Sequence, residues 1–232
     1  MLSRLGADFG RLGSAGAGPA LAAWLRPDPA GNLITAPNGA NDQGSSPAGD
    51  WTFVVSGAEF PTAWDLLNAT APNGQTEAWR YIEGGAGAGS KPWRAWVDKT
   101  KSNGTASQTF TGSIYAKRTA SNDRNIGLVL QSPHDGDNYA EAMFDLSSGA
   151  VSLTGNVDSA TLLGTRCTNA GNGWWRCQIA ATVAEANSTI NFAFYCALTT
   201  GADFTARVVF TGNGTSGLYL WRGRLAEGNE IA

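Results

Sequence analysis

Apolar and polar residues alternate along most of the chain beyond residue 50. The segments 174–183 and 190–198, for example, carry an apolar residue at nearly every second position and are bounded by turn residues. Because successive side chains of a strand point to opposite faces, this two-residue period predicts β-strands. About eleven such segments follow one another with no helical pattern between them. The pattern therefore predicts an all-β fold, an antiparallel two-sheet jelly-roll sandwich.

The same alternation separates the two faces of each strand. In 174–183 the apolar register begins at Trp175, so we expect Trp175 in the core and Trp174 on the opposite face. The other residues that this sorting places inside are Cys177, Ile179, Ala181, Val183, Ile190, Phe192, Phe194, Cys196, Leu198, Ala142, Phe144, Leu146, Phe110, Ile114, Phe204, Val208 and Phe210.

The outward registers combine aromatic rings with planar hydrogen-bonding groups. Eight of these residues form the predicted site: Tyr115, Tyr139, Glu141, Trp174, Arg176, Gln178, Tyr195 and Arg207. A pyranose stacks its C–H face on an aromatic ring, and its hydroxyls pair with carboxylates, amides and guanidinium groups. The residues therefore predict a carbohydrate-binding site with Trp174 as the stacking platform. Trp174→Ala should then weaken sugar binding, whereas Trp175→Ala should destabilise the fold.

An exposed aromatic patch indicates an interface without identifying its ligand. The same outward residues would equally cover a sheet against a neighbouring subunit or against the N-terminal arm. On the residues alone, glycan contact and protein contact both stay open.

Residues 1–30 differ from the rest of the chain. A stripe of apolar residues recurs there at helical spacing, and glycines interrupt it: Leu2, Leu5, Phe9 and Leu12. Such a weak helix orders only when its stripe is buried, so the segment is either a frayed terminus or an extended or short helical arm that anchors the chain to a larger assembly. Turn residues dominate 31–50, which we interpret as a linker, and 51–232 is the predicted jelly-roll domain.

Composition and charge narrow the range of functions. Only 15% of the 232 residues are charged, the net charge is -3 and there is no basic block, which argues against nucleic-acid binding. No apolar run reaches the length of a membrane span, and the N-terminus lacks the apolar core of a cleavable signal peptide. We therefore expect no nucleic-acid partner, no membrane insertion and synthesis in the cytoplasm.

Signals for catalysis are weak. The one histidine, His134, lies in a turn sequence, and the chain has no G-x-S-x-G motif. Asp135, Asp137 and Glu141 match only a fragment of a calcium loop. Glu141 and Asp145 share a register, so a glycosidase pair of carboxylates stays open, although a sequence gives no separation. We predict that the chain is not an enzyme and uses neither a cofactor nor a metal.

The three cysteines, Cys167, Cys177 and Cys196, are too few for a disulfide framework, and their spacing matches no zinc motif. Buried thiols are the default interpretation. A hairpin that turns at Asn172 would nevertheless set Cys167 opposite Cys177, within reach of a cross-strand bond. Whether these two cysteines are bonded stays open.

Two stretches resemble a signature of phage tail-fibre, head-fibre and spike proteins. G-N-G-W-W-R-C-Q-I, which begins at Gly171, matches G-x-G-W-[YW]-R-[CV], and 212–228 (G-N-G-T-S-G-L-Y-L-W-R-G-R-L-A-E-G) matches a final G-x-x-[IL]-Y-[ILV]-W-G-A-Q-L-E-x-G strand. F-D-L-S-S-G-A-V at 144–151 and A-P-N-G-Q-T-E-A at 71–78 also fit the pattern, so the resemblance covers about residues 51–228. Arg222 and Arg224 replace the usual Gly and Gln of the last strand.

The resemblance implies a carbohydrate-binding-module-like jelly roll on a virion surface, either of a phage or of a gene transfer agent whose head spikes attach to capsular polysaccharide. It implies capsid or other spike and fibre subunits as partners, a host surface glycan as ligand, homo-oligomeric presentation and assembly in the bacterial cytoplasm. Several weak sugar sites on one particle would gain by avidity. The alternatives are a purely structural fibre or decoration protein and, in third place, a polysaccharide depolymerase.

Overall fold

The computed structural model describes residues 32–34, 51–54, 63–84, 91–92, 94–101, 106–119, 124–132, 138–183 and 189–231. The strands are β1 (Trp51–Val54), β2 (Ala63–Thr70), β3 (Thr76–Ile82), β4 (Lys91–Pro92), β5 (Arg94–Thr100), β6 (Gln108–Arg118), β7 (Arg124–Gln131), β8 (Tyr139–Phe144), β9 (Val151–Val157), β10 (Thr161–Gly171), β11 (Trp174–Val183), β12 (Thr189–Leu198), β13 (Val209–Phe210) and β14 (Gly217–Glu227). One short helix, α1 (Phe204–Val208), precedes β13.

The long strands pair into two six-stranded sheets. Sheet I has the order β1-β5-β12-β7-β8-β9, and sheet II has the order β10-β11-β6-β14-β3-β2. Neighbouring strands in both sheets are antiparallel. The short strands β4 and β13 form a separate ribbon. The predicted all-β two-sheet sandwich is therefore confirmed.

The main core lies between the inner faces of the two sheets. Trp51 of sheet I packs edge-to-face on Trp79 of sheet II, with ring centroids 5.6 Å apart. Phe192 of sheet I reaches so close to Gly112 of sheet II that a Cβ at that glycine would lie 2.4 Å from the phenyl ring. Aromatic side chains bury large areas, so these contacts are a major source of the attraction between the sheets.

The structure confirms most of the residues that were assigned to the inner faces of the strands. The residues that lie in this core as predicted are Cys177, Ile179, Ala181, Val183, Ile190, Phe192, Phe194, Cys196, Ala142, Phe144, Leu146, Phe110, Ile114 and Phe210. Trp175 and Leu198 pack against the same core but stay partly exposed. A two-residue period therefore assigns the inner face correctly wherever a strand runs without a bulge.

The segment 204–210 departs from the prediction. It was expected to be a strand with Phe204 and Val208 inside, but residues 204–208 form α1. The helix lies on the outer face of sheet I, where Phe204 and Val208 pack with Val129, Met143 and Tyr195 in a second cluster. The physical reason is that this outer face carries apolar side chains, and α1 covers them.

Three strands were not predicted: β2, β10 and the two-residue β4. Strand β10 pairs with β11 along the edge of sheet II, but register shifts occur between Leu162 and Gly164 and between Asn169 and Gly171. Each bulge interrupts the alternation that reveals a strand. A register shift between Asp65 and Ala69 interrupts β2 in the same way.

Residues 32–34 add to the sandwich. Leu33 donates its backbone N–H to the Leu225 carbonyl at 2.7 Å, and the Asn32 side chain accepts the Leu225 N–H at 3.1 Å. Ile34 is 1% exposed and belongs to the main core. The predicted anchor stripe in 1–30 lies outside the described residues, and the domain boundaries stay predictions.

An ion pair is buried at one end of the sandwich. Arg124 at the start of β7 donates from Nε and Nη2 to the two carboxylate oxygens of Glu83, each at 2.6 Å. Asn213 donates its backbone N–H to the same carboxylate at 2.8 Å, and the Phe210 ring lies 4.8 Å from the guanidinium. The pair therefore fastens β7 to the end of β3 and to the loop before β14.

Candidate carbohydrate-binding surface

The eight predicted site residues do not form one surface. Tyr115, Trp174, Arg176 and Gln178 lie on the outer face of sheet II, because their registers oppose those of the core residues Ile114 and Cys177. The others lie on the outer face of sheet I: Tyr139, Glu141, Tyr195 and Arg207. The core separates the two groups, so a single sugar cannot contact both.

Trp174 faces away from the main core, as predicted, but it is not exposed. It is 1% exposed and packs in a third cluster with Ala71, Ala78 and Trp221. Its Nε1 donates to the Thr70 carbonyl at 3.2 Å. The end of β2 and the turn into β3 thus close over the indole, and the predicted stacking platform has no free ring face.

The other three residues on sheet II are also held within the fold. Tyr115 is 6% exposed, with its ring centroid 5.0 Å from that of Trp221, and the Arg176 guanidinium lies 5.9 Å from the Tyr115 ring. Gln178 is buried as well. The sugar site predicted on this face is therefore corrected: its aromatic residues pack on one another and brace the β2–β3 turn.

On sheet I, Tyr139 and Glu141 are both half-buried and lie on the same face of β8. Tyr139 packs at the edge of the second cluster. Glu141 has Val129 and Gly155 as its register partners. A Cβ at Gly155 would lie 3.0 Å from Glu141 Oε1, so the glycine leaves room for the carboxyl group. Strand β8 thus presents a phenol ring beside a carboxyl group.

The surroundings of Glu141 favour its protonated form. Burial and, second, the negative charge of Asp203 raise the pKa of Glu141 to about 7. The proton is therefore kept at mildly acidic pH and lost near neutrality. Because the pKa is raised in the folded state, this carboxyl stabilises the fold below its ordinary pKa, and that contribution is lost as pH rises through about 7.

The helix α1 positions two of the remaining residues. Tyr195 is 7% exposed because Phe204 packs edge-to-face on its ring at 5.4 Å. Arg207, on the same helix, is half-buried and donates from Nη1 to Ser152 Oγ at 2.7 Å and from Nε to the Gly201 carbonyl at 3.2 Å. Tyr195 is therefore closed to a ligand, whereas the Arg207 guanidinium is held in one place at the surface.

Sequence reasoning missed Asp203 and Ser152. Asp203 lies immediately before α1, and its charge acts on Glu141, which is 62 positions earlier in the chain. Ser152 lies on β9 and accepts the Arg207 hydrogen bond. A strand prediction for 204–210 gave no reason to place Asp203 near Glu141 or Ser152 near Arg207. The surface made by Tyr139, Glu141, Ser152, Asp203 and Arg207 is called the β8–α1 surface below.

The signature segments contact one another at one end of the sandwich. A Cβ at Gly149, whose φ is +74°, would lie 2.1 Å from the Trp175 ring, so glycine at 149 is what permits that tryptophan to pack. A depression of about 370 Å³ adjoins the contact, lined by Lys117, Arg118, Leu146, Ser147 and Gly173. The signature residues thus support one another, which accounts for their occurrence together without reference to a ligand.

Two further features of the described residues bear on function. They include no group of three or more His, Cys, Asp or Glu side chains arranged to hold a metal ion. None of the helices in these parts of the chain is both long and apolar enough to cross a membrane.

Comparison with known proteins finds similarity among solved structures. No protein-family model and no curated protein matches the chain. Among solved structures, the fold is similar to the crystal structure of the bacteriophage CBA120 tailspike protein 4 enzymatically active domain, with a TM-score of 0.38 and 11% sequence identity. The match covers 85% of this chain and 21% of the tailspike chain. At that identity and TM-score, the likeness assigns no ligand, reaction or partner to this chain.

One prediction needs correction against that comparison. The sequence led us to predict that the chain is not an enzyme, but the similar tailspike domain is described as enzymatically active. We withdraw the prediction. It rested on missing motifs and on strand register, and register cannot show that an acidic residue of a distant loop lies close enough to Glu141 to raise its pKa.

Proposed function

We propose that this chain is a surface component of a phage-like particle, a head spike or fibre, and that it binds a cell-surface polysaccharide through the β8–α1 surface. Two observations support the proposal. Tyr139 and Glu141 share the outer face of β8, where Tyr139 packs on the second cluster. Arg207 lies on α1, whose Phe204 and Val208 belong to that cluster. No comparable set of half-buried polar and aromatic groups remains for a ligand among the residues predicted on sheet II.

The chemistry of these groups suits a sugar. The Tyr139 ring offers a flat apolar face, and its hydroxyl both donates and accepts. Glu141 donates a hydrogen bond while protonated and accepts when ionised. The Arg207 guanidinium is already oriented by Ser152, so less side-chain entropy is lost when a hydroxyl or a carboxylate of the ligand binds.

The resemblance of 171–179 and 212–228 to the fibre and spike signature supports a location on a particle. In this proposal, residues 1–30 anchor the chain to capsid or fibre subunits through Leu2, Leu5, Phe9 and Leu12, and 31–50 is the linker. Homo-oligomeric presentation compensates for the low affinity of single sugar sites. Capsular polysaccharide of the host is the proposed ligand, and a gene transfer agent is as suitable a carrier as a phage.

Replacing Tyr139 with alanine is expected to weaken glycan binding about tenfold, since an aromatic contact contributes about 1 kcal/mol or slightly more. The glycan is first identified by applying the wild-type protein to a glycan array and to capsule-positive and capsule-negative cells. Binding of the variant to that glycan is then measured by calorimetry at several concentrations.

Tyr219→Ala is the matched control, because Tyr219 is also half-buried but lies on the outer face of sheet II. It should bind like the wild type. A folded Tyr139→Ala protein with undiminished affinity would exclude this surface. A wild-type protein that binds no glycan, while Tyr139 is shielded on the assembled particle, would favour the purely structural alternative.

A second candidate function is polysaccharide cleavage at the same surface. Glycoside hydrolysis uses one carboxyl group that is protonated near neutral pH to protonate the leaving oxygen, and a second carboxylate across the scissile bond. Glu141 has the raised pKa that the first role needs, and the Asp203 charge contributes to it. Hydrolysis is therefore the reaction for which Glu141 and Asp203 are tested.

In this second function, Glu141→Gln is expected to abolish the release of new reducing ends, because an amide cannot deliver the proton. Wild-type cleavage should fall as pH rises through about 7, where Glu141 ionises. Asp98→Asn, which changes an exposed carboxylate on β5 of the same sheet, is the control and should cleave normally. If the wild-type protein binds the polysaccharide without shortening it, the cleavage function is excluded and the binding function is kept.

A further inference from the structure

The hairpin of β10 and β11 brings two of the three cysteines together. Cys167 and Cys177 are direct register partners, and their Sγ atoms are 3.7 Å apart. Both are thiols in this structure, as is Cys196. Cys196 lies on β12 of the other sheet, so it does not take part in the pair.

A bulge produces this alignment. The turn consists of Asn172 and Gly173, whose φ angles of 53° and 79° fit the two-residue turn that hairpins favour. A regular hairpin closed by that turn would set Cys167 opposite Gln178. The register shift between Asn169 and Gly171 adds one residue to β10 and moves Cys167 opposite Cys177.

The geometry allows a covalent bond with little rearrangement. Directly opposed residues of antiparallel strands have Cα atoms about 4.5–5.5 Å apart, which is within the range of disulfides. The sulfur atoms need to approach from 3.7 Å to about 2.05 Å, which rotation of the two side chains can supply. The backbone pairing of the hairpin is kept.

The two thiols differ in a way that sets an order of reaction. Cys167 is half-buried on the edge strand, and its hydrogen bond with Cys177 lowers the pKa of its thiol. Cys177 is fully buried in the main core, and burial raises the pKa of its thiol. Cys167 is therefore the accessible nucleophile, and Cys177 is the resolving thiol behind it.

We propose that Cys167 and Cys177 are a thiol–disulfide exchange pair that converts to an intramolecular disulfide on reaction with a small-molecule disulfide. The Cys167 thiolate attacks one sulfur of the oxidant, which forms a mixed disulfide and releases one small thiol. Cys177, losing its proton to solvent, then attacks Sγ of Cys167 and expels the second small thiol. The dithiol loses two electrons and two protons, and the oxidant is reduced to two thiols.

The consequence is a covalent link at the edge of sheet II. Strand β10 is an edge strand, held on one side only by β11. The link would fasten it where the bulge interrupts the ladder. The pair is a dithiol in a reducing cytoplasm and a disulfide outside the cell. This inference does not depend on the identity of any ligand.

The test is thiol mapping of the purified full-length protein in glutathione buffers of increasing oxidised fraction. After acid quench, denaturation and alkylation, peptide mass spectrometry should show Cys167 joined to Cys177 and Cys196 still alkylated. The thermal midpoint of the oxidised protein should lie above that of the reduced protein. Free Cys167 and Cys177 at every ratio, or a midpoint lowered by oxidation, would overturn the proposal.

Variants test the order of attack. Cys177→Ser should accumulate glutathione on Cys167, whereas Cys167→Ser should take up none at Cys177 while folded. The reverse pattern would overturn the assigned roles. Cys196→Ser is the matched control and should form the bond like the wild type. Because mapping of the wild-type protein needs no substitution, a variant that fails to fold does not prevent a decision.

Discussion

Trp174→Ala is expected to lower the free energy of unfolding by about 3–5 kcal/mol, the range for removing a large buried side chain. The indole is 1% exposed, packs on Trp221 and Ala78, and donates to the Thr70 carbonyl. Removing it leaves a cavity under the β2–β3 turn and an unpaired carbonyl. Chemical denaturation of both proteins at one pH measures the difference.

Leu163→Ala is the control for that experiment, because Leu163 on the neighbouring strand is 44% exposed. Its effect should stay within about 0.5 kcal/mol. Glycan affinity of folded Trp174→Ala protein should match the wild type. If the Trp174→Ala protein has wild-type stability but binds the glycan more weakly, Trp174 stacks on the sugar and does not stabilise the fold by packing.

Glu83→Gln is expected to cost about 3–5 kcal/mol of stability, because it removes the carboxylate charge that pairs with the buried Arg124 guanidinium. Both side chains are almost completely buried, at 0% and 6% exposure. The amide also replaces one of the two oxygens that Arg124 contacts. Thermal and urea unfolding at neutral pH provide the measurement.

Asp145→Asn is the matched control, since it removes the charge from the Arg118–Asp145 pair, whose side chains are 16% and 28% exposed. Water reaches this half-buried pair, which weakens the attraction, so it contributes less to stability than the fully buried pair. The loss in Glu83→Gln should therefore exceed the loss in Asp145→Asn severalfold. Equal losses of stability in the two variants would mean that burial does not determine how much these ion pairs contribute to the free energy of unfolding.

Alternation predicted which side of a strand a residue occupies, but not whether that side is covered. Trp174 and Tyr195 both point away from the main core, as their registers require, and both are buried. The residues that bury these two side chains come from other parts of the chain. Thr70 is 104 positions from Trp174, and α1, which lies in a segment predicted to be a strand, follows Tyr195 after a turn. Contacts between separate segments of the chain do not produce a periodic pattern of apolar residues in the sequence.

The candidate site was predictable in part. Tyr139 and Glu141 share a face of β8, and a two-residue spacing is enough to show it. The division of the eight residues between two sheets was not predictable, because strand order decides which outward registers are neighbours. Asp203 was missed for the related reason that only the packing of α1 brings it near Glu141.

The last strand differs from the phage fibre and spike signature at Arg222, and the structure shows how the arginine is accommodated. Arg222 stands where that pattern has glycine, and its φ of 47° lies in the left-handed region that glycine adopts without strain. The register shift between Trp221 and Arg224 places it in a bulge. Its guanidinium lies 4.4 Å from the Trp221 ring, a contact that offsets part of a conformational cost of about 1–2 kcal/mol.

The two outer faces of the sandwich point in opposite directions, and different parts of the chain cover them. A subunit held through its sheet II side would keep its β8–α1 side turned to the medium, and a ring of such subunits would present every copy outward at once. Spacing between copies would then decide which polymer lengths can bridge neighbouring sites. In the proposed function, selectivity for chain length would therefore arise from the assembly, and each subunit would recognise a single unit of the polymer.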